Sequence, residues 1–152
     1  MEYKFSTQQY LPISITKAWE FFSSPHNLSL ITPPEMKFRM LTETDRPIYK
    51  GMVIDYTVRP IGNIPMRWKT KIGRIVVPFE FTDIQIQGPY TKWEHVHTFE
   101  PSDNGTLMTD TVTYRLPLGI IGDVVHRMLV KRKIESIFHY RQKVLLTLFP
   151  EL

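Results

Sequence analysis

The chain has 152 residues, of which 42% are hydrophobic and 22% charged, the size and composition of a single globular domain spanning residues 1–152. It contains no cysteine, which excludes disulfides and thiolate metal sites and fits a reducing cytoplasm. A net charge of +4, from 19 basic and 15 acidic residues, falls short of the concentrated positive charge of a nucleic-acid binder. Met1-Glu2-Tyr3-Lys4-Phe5 is not a charged leader followed by an apolar stretch, which argues against a secretory signal. No run approaches the roughly 18 apolar residues of a membrane-spanning helix.

Residues 2–10 alternate as a strand, with Tyr3, Phe5 and Thr7 on one face. Ile15, Ala18, Trp19 and Phe22 then share a helical face behind Ser14, a suitable N-cap, and Ser23-Ser24-Pro25 ends that helix. His26 to Ile31 predicts a second short helix. Strands follow over 36–42, 52–59, 66–77, 79–87, 91–100 and 107–116, separated by Pro- and Gly-containing turns. Ser102-Asp103-Asn104-Gly105 is a hairpin signal, and Gly88-Pro89 marks a corner or bulge. Short connections between successive strands argue for an antiparallel sheet. From Asp123 to about Phe149 the pattern is helical, with Val124, Met128, Ile134, Ile137, Phe138, Arg141, Val144, Leu145 and Leu148 near one side. The register is imperfect around Lys131-Arg132-Lys133, where a bend is expected. Together these elements predict an α+β domain with a hollow between a curved sheet and one long helix, a natural place for a ligand.

The strand at 91–100 carries the sharpest signal. Its alternation puts Trp93, His95, His97 and Phe99 on one face. Two imidazoles among aromatic rings need polar partners, because an unpaired buried group costs roughly 1–3 kcal/mol. Either the histidines bond a polar ligand or move protons in a pocket, or they are structural and pair with Asp83 or Asp110 across the sheet. Asp83 and Gln85 share a phase with Phe79 and Phe81, and Asp110 shares one with Met108, Val112 and Tyr114. If a bulge near Thr82 shifts the phase, Ile84 and Ile86 point inward instead. If it does not, Ile84, Ile86 and Val96 form an outward apolar patch suited to a homodimer. Tyr56, Trp68, Thr70, Phe81, Tyr114, Met128, Phe138 and Arg141 are further candidates for a ligand-binding wall. His95, His97, Asp110 and Tyr114 are the candidates for catalysis. His-x-His beside Asp83 or Asp110 is also a chelating pattern, yet nothing in the sequence fixes a third ligand, and no metal is expected. No phosphate loop, dinucleotide fingerprint or nucleophile elbow is present, so no cofactor is expected. Arg67, Lys69 and Lys71, and the cluster Arg127, Lys131, Arg132 and Lys133, are either solvated faces or a docking surface for an anionic membrane or acidic partner.

Three stretches resemble the START-related SRPBCC superfamily, which includes polyketide cyclases and birch-pollen-allergen-like proteins. They are Pro25-His26-Asn27-Leu28 with Leu30-Ile31-Thr32-Pro33-Pro34; Phe81-Thr82-Asp83 through Gly88-Pro89-Tyr90, Trp93, His95, His97 and Phe99; and Asp110 to Tyr114 with Leu116-Pro117-Leu118-Gly119 and Phe138-His139-Tyr140-Arg141. The resemblance covers essentially the whole chain, and its bacterial ligand-binding branch is the best match. It implies a helix-grip fold, a sheet wrapped around a long C-terminal helix with two short helices near the N-terminus. It also implies a small hydrophobic or amphipathic ligand with a polar end. Members of the superfamily also include cyclase, aromatase or dehydratase enzymes and chaperone-activating interaction modules, so both remain alternatives.

Overall fold

The computed structural model describes residues 1–151. Strand β1 (Glu2–Leu11) has half-buried Tyr3, Phe5 and Thr7 alternating with exposed Glu2, Lys4, Ser6 and Gln8. Helix α1 (Ile15–Phe22) starts where the Ser14 hydroxyl accepts from the Lys17 amide at 3.2 Å. Single 3₁₀ turns at Pro25–Leu28 and Pro34–Met36 follow. The helix expected over 26–31 is therefore only the first of these turns, since a proline at the start of each favours short, separately initiated turns. The strand expected over 36–42 shrinks to β2 (Arg39–Met40).

Strands β3 (Val53–Val58), β4 (Met66–Val76), β5 (Glu80–Gln87), β6 (Lys92–Ser102) and β7 (Gly105–Arg115) complete one antiparallel sheet in the order β1-β7-β6-β5-β4-β3-β2. The N-terminal strand pairs with β7, the last strand, and forms one edge of the sheet. The remaining strands form a meander. Phe79 falls in the turn before β5 and is 50% exposed, so it does not share the inward phase of Phe81 and Asp83. Ile84 and Ile86 face outward at 38% and 54% exposure. On the outer face of β4, Arg67 is paired with Asp55 at 2.6 Å and Lys69 lies 3.9 Å from the same carboxylate.

The chain closes with α2 (Gly119–Val125), a π-helical turn (His126–Val130) and α3 (Lys131–Leu148). Gly122, His126, Val130, Ile134, Phe138, Arg141 and Leu145 are buried along its inner side. The irregularity expected at Lys131–Lys133 thus lies just upstream, and its effect is a change of phase. Met128 and Val124, placed on the inner side by a regular helical register, are 65% and 53% exposed, and Leu148 is 41% exposed. A π turn takes more residues per turn than an α turn, so it rotates the following residues relative to a straight-helix projection.

Four apolar clusters pack between helix and sheet around a remaining hollow. One gathers Leu11, Ala18, Ile31, Phe81, Phe99, Met108 and Leu145 under α1. Another gathers Val112, Tyr114, Val130, Ile134 and Phe138 at the opposite end. Met36, Val58 and Trp68 form the third. Met52, just before β3, joins Ile54 and Ile72 on β3 and β4 in the fourth. Among the described residues, no helix is long and apolar enough to cross a membrane.

The β6–β7 hairpin pairs Ser102 with Gly105 across Asp103 and Asn104, and Asp103 has φ +48°. A Cβ on Gly105 would sit 2.3 Å from the Leu11 carbonyl oxygen and 2.6 Å from the Tyr10 hydroxyl. Gly105→Ala must therefore push β1 away from the hairpin. It is expected to lower the free energy of unfolding by about 1–3 kcal/mol, read as a shift of the urea midpoint at unchanged slope.

Candidate functional site

The inner faces of β3 to β6 and the inner side of α3 enclose a cavity of about 170 Å³. One ordered water needs only roughly 10–15 Å³ of such volume, so the space suits a larger guest. Its walls are mostly apolar and aromatic: Phe21 and Phe22 from α1, Met36 and Phe38, Ile54, Tyr56 and Val58 from β3, Trp68 and Ile72 from β4, and Val130, Ile134, Ile137 and Phe138 from the terminal helix. Trp68 meets Trp93 edge-on at 5.2 Å and stacks on Tyr56 at 6.0 Å.

The polar floor follows from strand register. Asp83 lies opposite His95, and Asp110 lies opposite His97. Each imidazole bonds along the diagonal instead, which on one sheet face is within reach of long side chains. His95 Nε2 meets Asp110 Oδ1 at 2.7 Å, and His97 Nε2 meets Asp83 Oδ2 at 2.8 Å. The rings lie 3.7 Å apart, and His97 stacks on Phe81 at 4.1 Å. His97 Nδ1 is 3.1 Å from Asp110 Oδ1, near enough for ion pairing but not aligned for a hydrogen bond. From α3, Arg141 Nη1 donates to Asp110 Oδ1 at 3.4 Å, and its guanidinium lies 5.0 Å over the Phe138 ring. Thr70 Oγ1 donates to Asp83 Oδ1 at 3.3 Å.

Ten of the fourteen residues expected at a ligand wall line this cavity: Tyr56, Trp68, Thr70, Phe81, Asp83, Trp93, His95, His97, Phe138 and Arg141. Four do not. Met128 is turned to the outer surface by the π turn. Gln85 is drawn off by the Gly88-Pro89 corner, where its amide donates to the Tyr90 carbonyl at 2.7 Å. Asp110 is 1% exposed and sits behind the imidazoles and Arg141, reaching the cavity only through them. Tyr114 faces inward farther along β7, where its hydroxyl meets His126 Nε2 at 2.7 Å, and burial pushes its pKa up to about 12. His126 in turn stacks on Tyr3, whose hydroxyl donates to Asp123 at 2.5 Å. That second polar cluster joins β1, β7 and α2, apart from the cavity.

The two imidazoles are driven in opposite directions. Burial pushes both toward the neutral form. For His95 burial prevails, reinforced by the charge of His97, and its pKa is lowered. For His97 the carboxylates of Asp110 and Asp83 outweigh burial, and its pKa is raised. Burial also opposes ionisation of the two carboxyls. The histidines and Arg141 overcome it, holding Asp83 below its ordinary range and Asp110 well below it. The resulting floor sets two carboxylates against the Arg141 guanidinium and two imidazoles, with the charged form favoured for His97 and the neutral form for His95, in an apolar wall. Asp83, His95 and His97 also bring three ligand-type atoms within 4.8 Å of one another, the donor set of an N,N,O metal site. In the structure these same residues bond to one another and to Asp110.

Neither family models nor curated protein sequences give a match to this chain. Solved structures do. A START superfamily protein from Mycobacterium smegmatis superposes with a TM-score of 0.71 at 17% identity, over 96% of both chains. The major latex-like protein 151 from Panax ginseng does so with 0.72 at 14% identity, over 99% of both chains. Ara h 8.0201 gives 0.65 at 17% identity, over 97% of this chain and 99% of that one. The chain has the START-related helix-grip fold. Within that helix-grip frame, residues absent from the sequence-based set also line the cavity, namely Met36, Phe38, Ile54, Val58 and Tyr90. Ile54 and Val58 carry the ordinary alternation of β3 and were legible from it. Met36 and Phe38 share one phase of the strand expected over 36–42, whereas Tyr90 follows the Gly88-Pro89 corner, where no period marks the inward face.

The paired carboxylates fix an acid limit. A carboxyl whose pKa is lower in the folded state contributes stability above its unfolded value of about 4, because below that pH the unfolded chain takes up protons first. The unfolding free energy is therefore expected to fall as pH drops from about 4 through the depressed folded values of Asp110 and Asp83. Asp110→Asn leaves Arg141 and His97 facing each other without their shared counter-charge. It is expected to cost about 3–5 kcal/mol at pH 6, and to flatten the acid limb in urea denaturation measured between pH 2 and 6.

Proposed function

We propose that the protein binds a small hydrophobic molecule with an uncharged hydrogen-bonding end. Its apolar body would lie against Tyr56, Trp68, Trp93 and Phe138, and its polar end would face His95, His97 and Asp83. The observation that carries this reading is a polar floor whose carboxylates, imidazoles and guanidinium pair with one another, set inside an otherwise apolar cavity. A floor whose cationic groups already face carboxylates offers no free counter-charge to a ligand carboxylate, so a ketone, quinone or alcohol suits it better than a fatty-acid anion. The Nε1 of Trp68 and the Nε of Arg141 are buried without a protein acceptor among the described residues. A ligand oxygen seated at the floor would offer one after small side-chain shifts, which supports a polar end pointing inward. A filled interior, expected of an interaction module of the chaperone-activator type, is at odds with the open space.

Two of the three tryptophans, Trp68 and Trp93, face the cavity, so intrinsic fluorescence reports occupancy. Titration with a panel of quinones, long-chain alcohols, aromatic polyketides and fatty acids is expected to give saturable quenching. Neutral amphiphiles should bind at least tenfold more tightly than the matched acids. Ile137→Trp, filling the cavity from α3, should weaken binding more than tenfold while circular dichroism stays native. No saturable response across the panel would remove the proposal.

The opposed pKa shifts of two adjacent imidazoles favour a second reading, an enzyme of cyclase, aromatase or dehydratase type. One ring that favours its neutral form beside one that favours its charged form is the raw material of paired base and acid. Turnover of a polyketide-like substrate that His95→Gln abolishes, with ligand binding within threefold of wild type, would establish it. Unchanged turnover in His95→Gln would exclude His95 as the base.

A further inference from the structure

Helix α2 and the π turn invert the usual rule for a surface helix. Leu118, Ile120, Ile121, Val124, Met128 and Leu129 are 74%, 83%, 65%, 53%, 65% and 55% exposed. A helix packed on a globular core normally turns such residues inward and charges outward. Here the inward positions are taken by Gly122, His126 and Val130, and the apolar residues occupy the solvent side. So many in one short segment exceed the scattered exposure that needs no explanation.

Charge selects what covers this face. Residues 118–133 carry Arg127, Lys131, Arg132 and Lys133 against Asp123 alone, 4 − 1 = +3, with Lys133 lying 3.9 Å from the Glu35 carboxylate outside the segment. The Asp123 carboxylate is itself engaged, by the Tyr3 hydroxyl at 2.5 Å and the N-terminal amine at 3.3 Å. Arg127, Lys131 and Arg132 are exposed, and they border or interrupt the apolar positions. A second copy of this chain, packed face to face through this segment, would bring like charges together. A surface with an anionic outer layer and an apolar interior matches both properties at once. The same segment adjoins the cavity: Val130 and Lys133 line it, and across from them so does Ile61, 37% exposed on the β3–β4 turn, with Ile64 beside it at 56%.

We propose that α2 and the π turn dock the protein peripherally on an anionic phospholipid bilayer. The apolar side chains enter the acyl boundary, and Arg127, Lys131 and Arg132 meet the headgroups. Each basic residue near such a surface contributes about a fivefold gain in partitioning, and the apolar insertion adds to it. The docking is independent of which ligand the cavity takes, or whether it takes one.

Flotation of the full chain with vesicles of phosphatidylcholine alone, or with about a third phosphatidylserine, tests this electrostatic requirement. The protein is expected to float with the anionic vesicles and to bind neutral ones at least tenfold more weakly. Ile120→Glu with Ile121→Glu should reduce anionic binding at least tenfold, and Lys131→Glu with Arg132→Glu should do the same. All four positions are exposed, and an unchanged melting temperature would separate lost docking from lost folding. No association with anionic vesicles overturns the proposal, as does equal binding to both vesicle types or full binding by either double variant. A dimer in sedimentation equilibrium that Ile120→Glu with Ile121→Glu splits, without vesicle binding, also overturns it and gives the face to a second copy.

Discussion

Five ionisable side chains meet under the terminal helix, and removing that much charge from water is costly unless it balances. Asp83 on β5, His95 and His97 on β6, Asp110 on β7 and Arg141 on α3 satisfy one another within a few ångströms. Because they come from four elements, the cluster constrains tertiary arrangement as well as energy. A slip of β6 by one residue would turn both imidazoles to the outer face and leave Asp110 with Arg141 alone and Asp83 with Thr70 alone. The alternative registers open to an antiparallel meander are thereby disfavoured. Arg141 performs the same service for the helix: sliding α3 along the sheet would separate a buried guanidinium from its only carboxylate among the described residues.

The cluster also explains why two histidines two residues apart differ. His95 and His97 share burial, strand and neighbouring ring. They differ in how the carboxylates are shared. Asp83 and Asp110 both act strongly on His97, through its bond to Asp83 and its 3.1 Å approach to Asp110. His95 has one close carboxylate at 2.7 Å and a second at 3.7 Å, and a positive charge on His97 opposes one on His95. The two rings therefore compete for protonation, the ordinary outcome when two bases share a small set of counter-charges.

Much of this was legible in the sequence because strands announce their faces. Alternation alone put Trp93, His95, His97 and Phe99 together, and the phase of Phe81 with Asp83 made carboxylate pairing an expectation. Phase does not give depth, however. Tyr114 shares the inward face of β7 with Asp110 but sits four residues farther along, beyond the cavity, in a different polar cluster. Gln85 has the inward phase, yet a corner three residues later captures its amide. Tyr90 reaches the cavity from an irregular segment, where nothing periodic marks the inner side, and Met36 and Phe38 keep a strand-like alternation although only Arg39–Met40 pairs as a strand. These departures have one cause: alternation fixes direction, whereas tertiary placement fixes what lies in that direction.

The terminal helix departs from its sequence pattern for another reason, and that reason links its two faces. Its buried positions run 122, 126, 130, 134 and 138, a spacing of four that an α-helix of 3.6 residues per turn cannot hold on one side for long. The π turn over His126–Val130 absorbs the difference by widening locally, which keeps Val130 facing the cavity and His126 against Tyr114 and Tyr3. Without it, a straight helix would carry the upstream residues around by roughly 40° per step. The widening that keeps a polar imidazole inside also keeps Ile120, Ile121, Val124 and Met128 outside. Replacing His126 by an apolar residue would thus not return those side chains to the core, because their exposure is set by the backbone phase that Val130, Ile134 and Phe138 impose from the cavity side. The apolar outer face and the cavity wall are two consequences of one local change in helical pitch.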